Sequence, residues 1–279
     1  MTYSAAIDFL YSLRWFGTKL GLENTFKLAA LAGNPQERLR FLHVAGTNGK
    51  GSTCAMIESI YRAAGCRRVG LFTSPHLVSF SERLQVNRQP ILESEVVRLV
   101  DEMRDLLQHF PREAHPTFFE VVTVMALRYF AERQCDLVVW ETGLGGRLDA
   151  TNIVTPLASV ITNIQLDHQQ WLGNSLEEIA FEKAGIIKPG VPVITAALPG
   201  EGLEVIAQVA SKRGAPLTVV DRAELLRPPL DRLRLSLHGE YQRLNAAVAM
   251  PAVQALAEQL PVSDSAMSAS LEHYHWPAR

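Results

Sequence analysis

The feature that most constrains the fold of this chain is an alternation of apolar runs with amphipathic segments. We predict strands at 41–45, 69–72, 137–140, 158–164, 191–195 and 216–220, with 235–237 as one further candidate. We predict helices at 52–64, 93–110, 118–133, 175–187, 202–213 and 245–260, where apolar residues recur at helical spacing. Continuous Val, Ile and Leu runs between helices are typical of a parallel sheet. The sequence therefore predicts an α/β fold, a mostly parallel sheet with helices on both faces, which binds ligands at the carboxyl ends of its strands.

A glycine-rich string joins the first predicted strand to the first predicted helix. Its residues are Gly46, Thr47, Asn48, Gly49, Lys50, Gly51 and Ser52. Glycines let successive backbone N–H groups face one anion, and the helix N-terminus and Lys50 add positive charge. Ser52 or Thr53 offers a hydroxyl near the phosphates or a metal. The string predicts a nucleotide-binding P-loop, and the simpler alternative is a glycine-rich turn with an exposed lysine.

The string departs from the usual GxxxxGK[ST] pattern of P-loops. Val44 occupies the first glycine position, and Gly51 separates Lys50 from Ser52. The glycine-rich string therefore differs from the usual P-loop sequence at two positions, which indicates a group of P-loop proteins with its own loop pattern.

Three other predicted strands are followed by polar side chains that could hold a metal. Ser74 follows 69–72, Glu141 follows 137–140 and His168 follows 158–164. Because parallel strands end at one edge of a sheet, these residues predict a Mg²⁺ site, although Mg²⁺ seldom takes a nitrogen ligand. A surface glutamate and a structural histidine are the simpler alternatives. Lys183 lies in an apolar helical setting, where its stem could equally pack on the core with its charge in water.

The net charge indicates which partners to expect, and the cysteine content indicates the cellular compartment. The net charge of -2 gives no general attraction for nucleic acid or anionic membranes. The cysteines, Cys54, Cys66 and Cys135, are scattered without metal-ligand spacing, which fits a reducing compartment. No stretch approaches the roughly 20 apolar residues of a membrane span. We expect a cytoplasmic protein with small-molecule partners, without nucleic acid or membrane.

Several strings, in this order, resemble the folylpolyglutamate synthase/dihydrofolate synthase family within the Mur ligase superfamily. They are GTNGKGS from Gly46, TSPHL from Thr73, ETGLGGRLDATN from Glu141, LDH from Leu166, EKAGIIKPG from Glu182, HGEYQRLNAAVA from His238 and WPAR from Trp276. The resemblance spans nearly the whole chain. It separates the chain from the peptidoglycan ligases, in which a threonine follows the loop lysine directly.

The resemblance implies an ATP-dependent amide ligase with a P-loop fold like the central domain of Mur ligases. Such an enzyme adds L-glutamate to dihydropteroate, tetrahydrofolate or both through an acyl phosphate. The implied catalytic residues are Lys50, His168 and Lys183. The implied nucleotide contacts are Gly46 to Ser52, Asn245 and Arg279. The implied Mg²⁺ ligands are Ser74, Glu141, His168 and a carbamylated Lys183. The implied contacts to pteroate or folate are Leu20, Gly21, Leu22, Glu23, Phe118, Phe119, Glu120, Arg147, Leu148 and Asp149.

The family pattern also sets an expectation for the domains. The usual WPGR string reads WPAR here, and in the family it is the hinge to a second, Rossmann-like domain. We expect residues 1–272 to form the ATP-binding ligase domain and 273–279 to be a hinge to a domain absent from this chain. A monomer that binds Mg·ATP but ligates poorly by itself is then expected.

Two other function classes remain open from the sequence. A non-catalytic or regulatory nucleotide-binding protein would use the same P-loop, although every active-site string is intact. A P-loop GTPase is disfavoured, because the chain lacks a guanine-reading Asn-Lys-x-Asp string.

Overall fold

The structure, a computed structural model, describes residues 1–17, 21–235 and 239–273. Its strands are β1 (Phe41–Ala45), β2 (Val69–Phe72), β3 (Leu84–Val86), β4 (Gln89–Pro90), β5 (Leu137–Glu141), β6 (Ala158–Ile161), β7 (Val193–Thr195) and β8 (Leu217–Val219). Its α-helices are α1 (Tyr3–Ser12), α2 (Glu23–Leu31), α3 (Lys50–Ala63), α4 (Glu93–Leu107), α5 (Phe118–Glu132), α6 (Gln169–Leu172), α7 (Leu176–Ala184), α8 (Glu201–Lys212), α9 (Glu240–Gln254) and α10 (Asp264–Glu272).

Within the described residues, the strands form one sheet in the order β4-β3-β2-β5-β1-β6-β7-β8. The strands from β2 to β8 in this order are parallel, with β1 between β5 and β6. β3 and β4 add an antiparallel hairpin at one edge, which the apolar runs do not indicate. The predicted α/β fold with a mostly parallel sheet is confirmed.

Helices cover both faces of the sheet, as predicted. On one face, Leu42 and Val44 of β1 share a buried cluster with residues of α3, α9 and α10. On the other face, Phe41 packs with α1, α2, α4 and α5, and Ala45 packs with α7 and α8. Every residue of β1 is buried. This two-sided burial explains why four of the five residues of the strand are apolar.

Three strand predictions are longer than the strands themselves, and β8 is Leu217–Val219 rather than 216–220. β6 ends at Ile161 rather than at residue 164, because the chain then turns toward the glycine-rich string. Thr162 Oγ1 donates to the Asn48 carbonyl oxygen at 2.6 Å. β7 begins at Val193 rather than at residue 191. At the candidate strand 235–237, Leu235 is in no strand, and residues 236–237 lie outside the described residues.

The helix predictions also differ from the structure at their ends, by three residues or more in α4, α7 and α9; α4 stops at Leu107 rather than at residue 110. α7 stops at Ala184 rather than at residue 187, and the Ile186 carbonyl oxygen then accepts a bond of 3.0 Å from Ser159 Oγ. α9 runs from Glu240 to Gln254 rather than from 245 to 260, and continues through Pro251.

The topology brings four strand ends together at the middle of the sheet. β2, β5, β1 and β6 are neighbours in that order and run in one direction, so the segments after Phe72, Glu141, Ala45 and Ile161 share one edge. None of the described helices is long and apolar enough to cross a membrane. The domain limits 1–272 and 273–279 stay predictions, since residues 274–279 lie outside the described part.

Candidate active site

The glycine-rich string forms a tight loop from the end of β1 into α3. Gly49 has a φ of 80°, and a β-carbon there would overlap the Asn245 side chain. Gly46 has a φ of 144°, and a β-carbon there would overlap Thr162 Oγ1. Both positions require glycine for backbone and space. The same crowding brings Asn245 of α9 against the loop, although the two are distant in sequence.

The loop is fixed from the side of β6 by hydrogen bonds to residues 163–165. Thr47 N donates to the Asn163 carbonyl oxygen at 3.0 Å, and Asn48 N donates to Asn163 Oδ1 at 2.9 Å. Asn48 Nδ2 donates to Gln165 Oε1 at 2.7 Å. These bonds hold the loop in shape without using its glycine amides.

Two lysines meet at one backbone carbonyl of the loop. Lys50 Nζ donates to the carbonyl oxygens of Gly46 at 3.0 Å and Thr47 at 3.1 Å. Lys183 Nζ, from α7, donates to the same Gly46 oxygen at 2.9 Å. Burial, and then the charge of Lys50, lower the pKa of Lys183 to about 7. Two amines beside a helix N-terminus make this corner favourable for an anion.

Glu141 and Ser74 lie together as the strand ends predict. Glu141 ends β5 and is buried, and its Oε2 accepts a hydrogen bond of 2.9 Å from Ser74 N. A carboxylate beside a serine is a donor set of the hard oxygen type that Mg²⁺ prefers. These two residues therefore fit a Mg²⁺ ion.

His168 lies at the rim of the same edge. Its side chain is 55% exposed, its backbone is left-handed with a φ of 48°, and its Nε2 is 3.6 Å from Asp167 Oδ2. No three His, Cys, Asp or Glu side chains cluster among the residues that the structure describes. A metal site here would thus need the Ser74 hydroxyl as well as Glu141 and His168.

The first of two cavities at this edge, called here the aromatic cavity, has a volume of about 490 Å³. Its wall includes Ser74, Phe118, Phe119, Leu148, Asp149 and His168.

The second, called here the loop cavity, has a volume of about 650 Å³. Its wall includes Asn48, Gly49, Ser52, Gln165, Tyr241 and Asn245. The site thus offers one compartment at the phosphate loop and a separate one beside Ser74.

Most of the predicted substrate contacts line the aromatic cavity, including Gly21 and Glu120. Leu22 instead packs against the core around α1 and α5, and Glu23 opens α2. Leu20 and Arg279 lie outside the described residues.

Arg147, another predicted substrate contact, is not among the residues that line the aromatic cavity. Its Nη2 donates to Glu182 Oε1 at 2.8 Å, its N–H donates to the Glu182 carbonyl oxygen at 2.7 Å, and its guanidinium lies 5.4 Å from the Phe181 ring centroid. Arg147 therefore ties the loop after β5 to the helix that carries Lys183.

The two carboxylates of the aromatic cavity hold backbone N–H groups. Glu120 caps its own helix by accepting a bond of 2.7 Å from Thr117 N. Asp149 Oδ2 accepts a bond of 2.7 Å from Leu144 N. Burial raises the pKa of Asp149, and the hydrogen bonds that it receives oppose that shift. Both residues shape the wall of the cavity whatever else they bind.

Arg14, Arg83 and Tyr241 also line the cavities, and sequence reasoning did not select them. The Arg14 guanidinium lies 4.1 Å from the Tyr11 ring centroid, and Arg83 Nε donates to His76 Nδ1 at 2.7 Å. Tyr241 is largely exposed at the mouth of the loop cavity. None of the three follows an apolar strand directly, so the rule that locates strand-end residues does not find them.

The chain is similar to known proteins in both sequence and structure. The family profile described as the Mur ligase middle domain matches residues 44–199. The chain is 41% identical over 299 residues to the dihydrofolate synthase/folylpolyglutamate synthase of Bacillus subtilis, covering 99% of this chain and 69% of that protein.

Two solved structures are also similar. A complex of FPGS with AMPPCP matches with a TM-score of 0.90 and 33% identity, over 100% of this chain and 73% of that one. FolC of E. coli in complex with DHPP and ADP matches with a TM-score of 0.82 and 36% identity, over 98% of this chain and 67% of that one.

Proposed function

The chain belongs to the folylpolyglutamate synthase/dihydrofolate synthase family of ATP-dependent C–N ligases, and we propose that its strand-end site converts an acceptor carboxylate to an acyl phosphate. The observation that carries the proposal is the pair of cavities at one sheet edge. The glycine-rich loop lines one of them, and Ser74 and His168 line the other. A ligase of this kind must hold ATP and the acceptor in separate places with their reacting groups at a common boundary.

In this proposal the loop cavity holds ATP. Solved relatives carry AMPPCP and ADP, and the phosphate loop here forms one wall of the cavity. Lys50 would exchange its bonds to the Gly46 and Thr47 carbonyl oxygens for the β- and γ-phosphates. Asn245, held beside Gly49 by the crowding of the loop, would contact the nucleotide.

Glu141 and Ser74 would hold Mg²⁺, with His168 and a modified Lys183 completing the donor set. The metal would neutralise negative charge on the phosphates during transfer. The uncharged amine of Lys183 can attack CO₂ and lose a proton, which gives a carbamate with oxygen ligands. A pKa of about 7 favours that uncharged amine at mildly alkaline pH.

The aromatic cavity would hold the acceptor, of the pteroate or folate class. Phe118 and Phe119 line this cavity, aromatic rings can stack on a flat heterocycle, and the relative from E. coli is in complex with DHPP. The preference between dihydropteroate and tetrahydrofolate, action as a monomer, and a cytoplasmic location stay predictions.

The proposed chemistry has two balanced steps. An acceptor carboxylate oxygen attacks the γ-phosphorus, and the bond from that phosphorus to the ADP oxygen breaks. The amino group of L-glutamate then attacks the acyl carbon, phosphate leaves, and the amine loses its proton. The residues of this chain contribute charge and position, which is what phosphoryl transfer mainly requires.

Glu141→Gln tests the metal role. The amide oxygen can still accept the bond from Ser74 N, but the charge is lost, so we expect about a tenfold or larger rise in the Mg²⁺ concentration needed for AMP-PCP binding. Calorimetric titration of AMP-PCP at a series of Mg²⁺ concentrations measures it. The matched control is Glu204→Gln on the exposed face of α8. An unchanged Mg²⁺ dependence in Glu141→Gln would remove Glu141 from the metal site.

A further inference from the structure

A buried polar side chain interrupts the apolar strand that leads into the phosphate loop. His43 lies in the middle of β1 and has no exposed surface. Its backbone is in register with Trp140 on one side and Ser159 on the other. A histidine in this place needs hydrogen-bond partners, because an unpaired buried polar group is costly.

His43 begins a chain of hydrogen bonds that ends in the wall of the aromatic cavity. His43 Nε2 lies 3.0 Å from Thr151 Oγ1, which is also fully buried. Thr151 Oγ1 donates to Asp149 Oδ1 at 2.5 Å, and Thr151 N donates to the same oxygen at 3.0 Å. Asp149 Oδ2 then receives Leu144 N at 2.7 Å. These hydrogen bonds thus link the wall of the aromatic cavity to β1, the strand that leads into the phosphate loop.

The direction of each bond follows from proton counting. Leu144 N, Thr151 N and Thr151 Oγ1 all donate to Asp149, which suits an ionised carboxylate because that group only accepts. The single hydroxyl proton of Thr151 is therefore committed to Asp149, and Thr151 Oγ1 must accept from His43 Nε2–H. The imidazole carries its proton on Nε2, and Nδ1 has no partner among the described residues.

The histidine in this chain is neutral over the working pH range. Burial, and then the charge of Lys188, lower its pKa to about 3. It therefore serves as a fixed donor rather than as an acid or base. Trp140 Nε1 donates to the Thr151 carbonyl oxygen at 3.0 Å. Thr151 is therefore hydrogen-bonded both to His43 of β1 and to Trp140 of β5.

We infer that His43 and Thr151 are positioning residues for acceptor recognition, which orient the Asp149 carboxylate and through it the backbone at Leu144 in the aromatic cavity. The inference rests on the proposed function, since it takes the aromatic cavity as the acceptor site. Neither residue lines that cavity, and they act only through the chain of bonds to Asp149. The nucleotide compartment uses none of these bonds.

The test compares two deletions of the relay with two conservative replacements. Thr151→Val and His43→Leu remove the hydroxyl and the donor, and Thr151→Ser and His43→Gln retain them. Equilibrium binding of folate and dihydropteroate, in the presence of Mg·AMP-PCP, gives the acceptor Kd, and AMP-PCP binding gives the nucleotide Kd. Hydrogen exchange of the segment 143–151 reports directly on the Leu144 and Thr151 amides.

We expect the two deletions to raise the acceptor Kd about tenfold, with the nucleotide Kd within about twofold of the unmodified protein. Hydrogen exchange at 143–151 should accelerate in these two variants alone. Thr151→Ser and His43→Gln should keep both Kd values and the protection. An equal rise of both Kd values, or a raised acceptor Kd in the conservative variants, would overturn the positioning role.

The proposed function and the inference fail in different ways. If the unmodified protein binds neither folate nor dihydropteroate, the assignment of the aromatic cavity fails and with it the acceptor role inferred for the relay. If the unmodified protein binds an acceptor and the deletions bind it equally well, the inference alone is wrong.

Discussion

Replacing Lys50 with methionine is expected to lower the rate of amide formation by about 10²–10³-fold, since a preorganised charge facing a transferring phosphoryl group is worth that much. Lys50 opens α3 and its Nζ bonds to the carbonyl oxygens of the phosphate loop, bonds that it would exchange for the phosphates. Methionine keeps the length and packing of the stem but removes the charge. The measurement is the steady-state rate of ADP formation with acceptor and L-glutamate present, together with the AMP-PCP Kd.

Two other substitutions show whether the effect of Lys50→Met comes from the lost charge at the phosphate loop or from the loss of any lysine. Lys50→Arg keeps the charge and should recover part of the nucleotide affinity, although a planar guanidinium fits a point-charge position poorly. Lys212→Met removes an exposed lysine at the end of α8 and should change neither quantity. Normal ADP formation by Lys50→Met would contradict the assignment of the phosphate loop.

Lys183→Met should stabilise the fold while abolishing most of the activity, by about 10²-fold or more. Lys183 is buried, and its pKa falls from 10.5 in the unfolded chain to about 7 in the folded protein. The folded state therefore holds fewer protons between these two values, and stability rises with pH across that window. Below pH 7 the cost of burying the charge is fully present, and it disappears as the pH approaches 10.5.

Methionine removes this cost, so the free energy of unfolding should rise by roughly 1–3 kcal/mol at pH 6 and by little at pH 10. Urea unfolding in CO₂-free buffer at the two pH values measures it. Gly46 keeps a donor in the variant, because Lys50 also bonds to its carbonyl oxygen.

Lys188→Met is the matched control: burial lowers the pKa of Lys188 to about 8, but the side chain bonds to the Asn152 carbonyl oxygen rather than to the loop. The Lys188→Met variant should show a somewhat higher free energy of unfolding and unchanged ligase activity. A destabilised Lys183→Met variant with normal activity would contradict both roles.

The sequence predicts the parts of the site that follow fully buried strands. β1 and β2 have the predicted limits, because every residue in them is buried, an exposed arginine precedes each of them, and a glycine or a polar residue follows. Glu141 and Ser74 could be found from the same kind of strand, since Glu141 is the last residue of β5 and Ser74 lies two residues after β2. After Ile161 the chain leaves the sheet, and Thr162 and Asn163 hydrogen-bond with the glycine-rich loop instead, so the predicted strand end at residue 164 is too late.

Long-range pairing is what the sequence could not supply. Arg147 and Glu182 are 35 residues apart, and only the fold shows that they pair. Gly49 and Asn245 are brought together by the packing of α9 on α3. His43 could have been singled out from the sequence, since it lies within the apolar run 41–45. A histidine inside a buried strand needs a hydrogen-bond partner.

The most direct test of the account follows oxygen from the acceptor to phosphate. The protein is supplied with ATP, Mg²⁺, L-glutamate and dihydropteroate labelled with ¹⁸O in its carboxylate, and the phosphate released is analysed by mass spectrometry. An acyl phosphate transfers a carboxylate oxygen to the phosphate that leaves, so we predict a labelled oxygen in the phosphate for each amide formed. Phosphate without label, or ADP formation that does not depend on the acceptor, would contradict the proposal that this site activates a carboxylate with ATP.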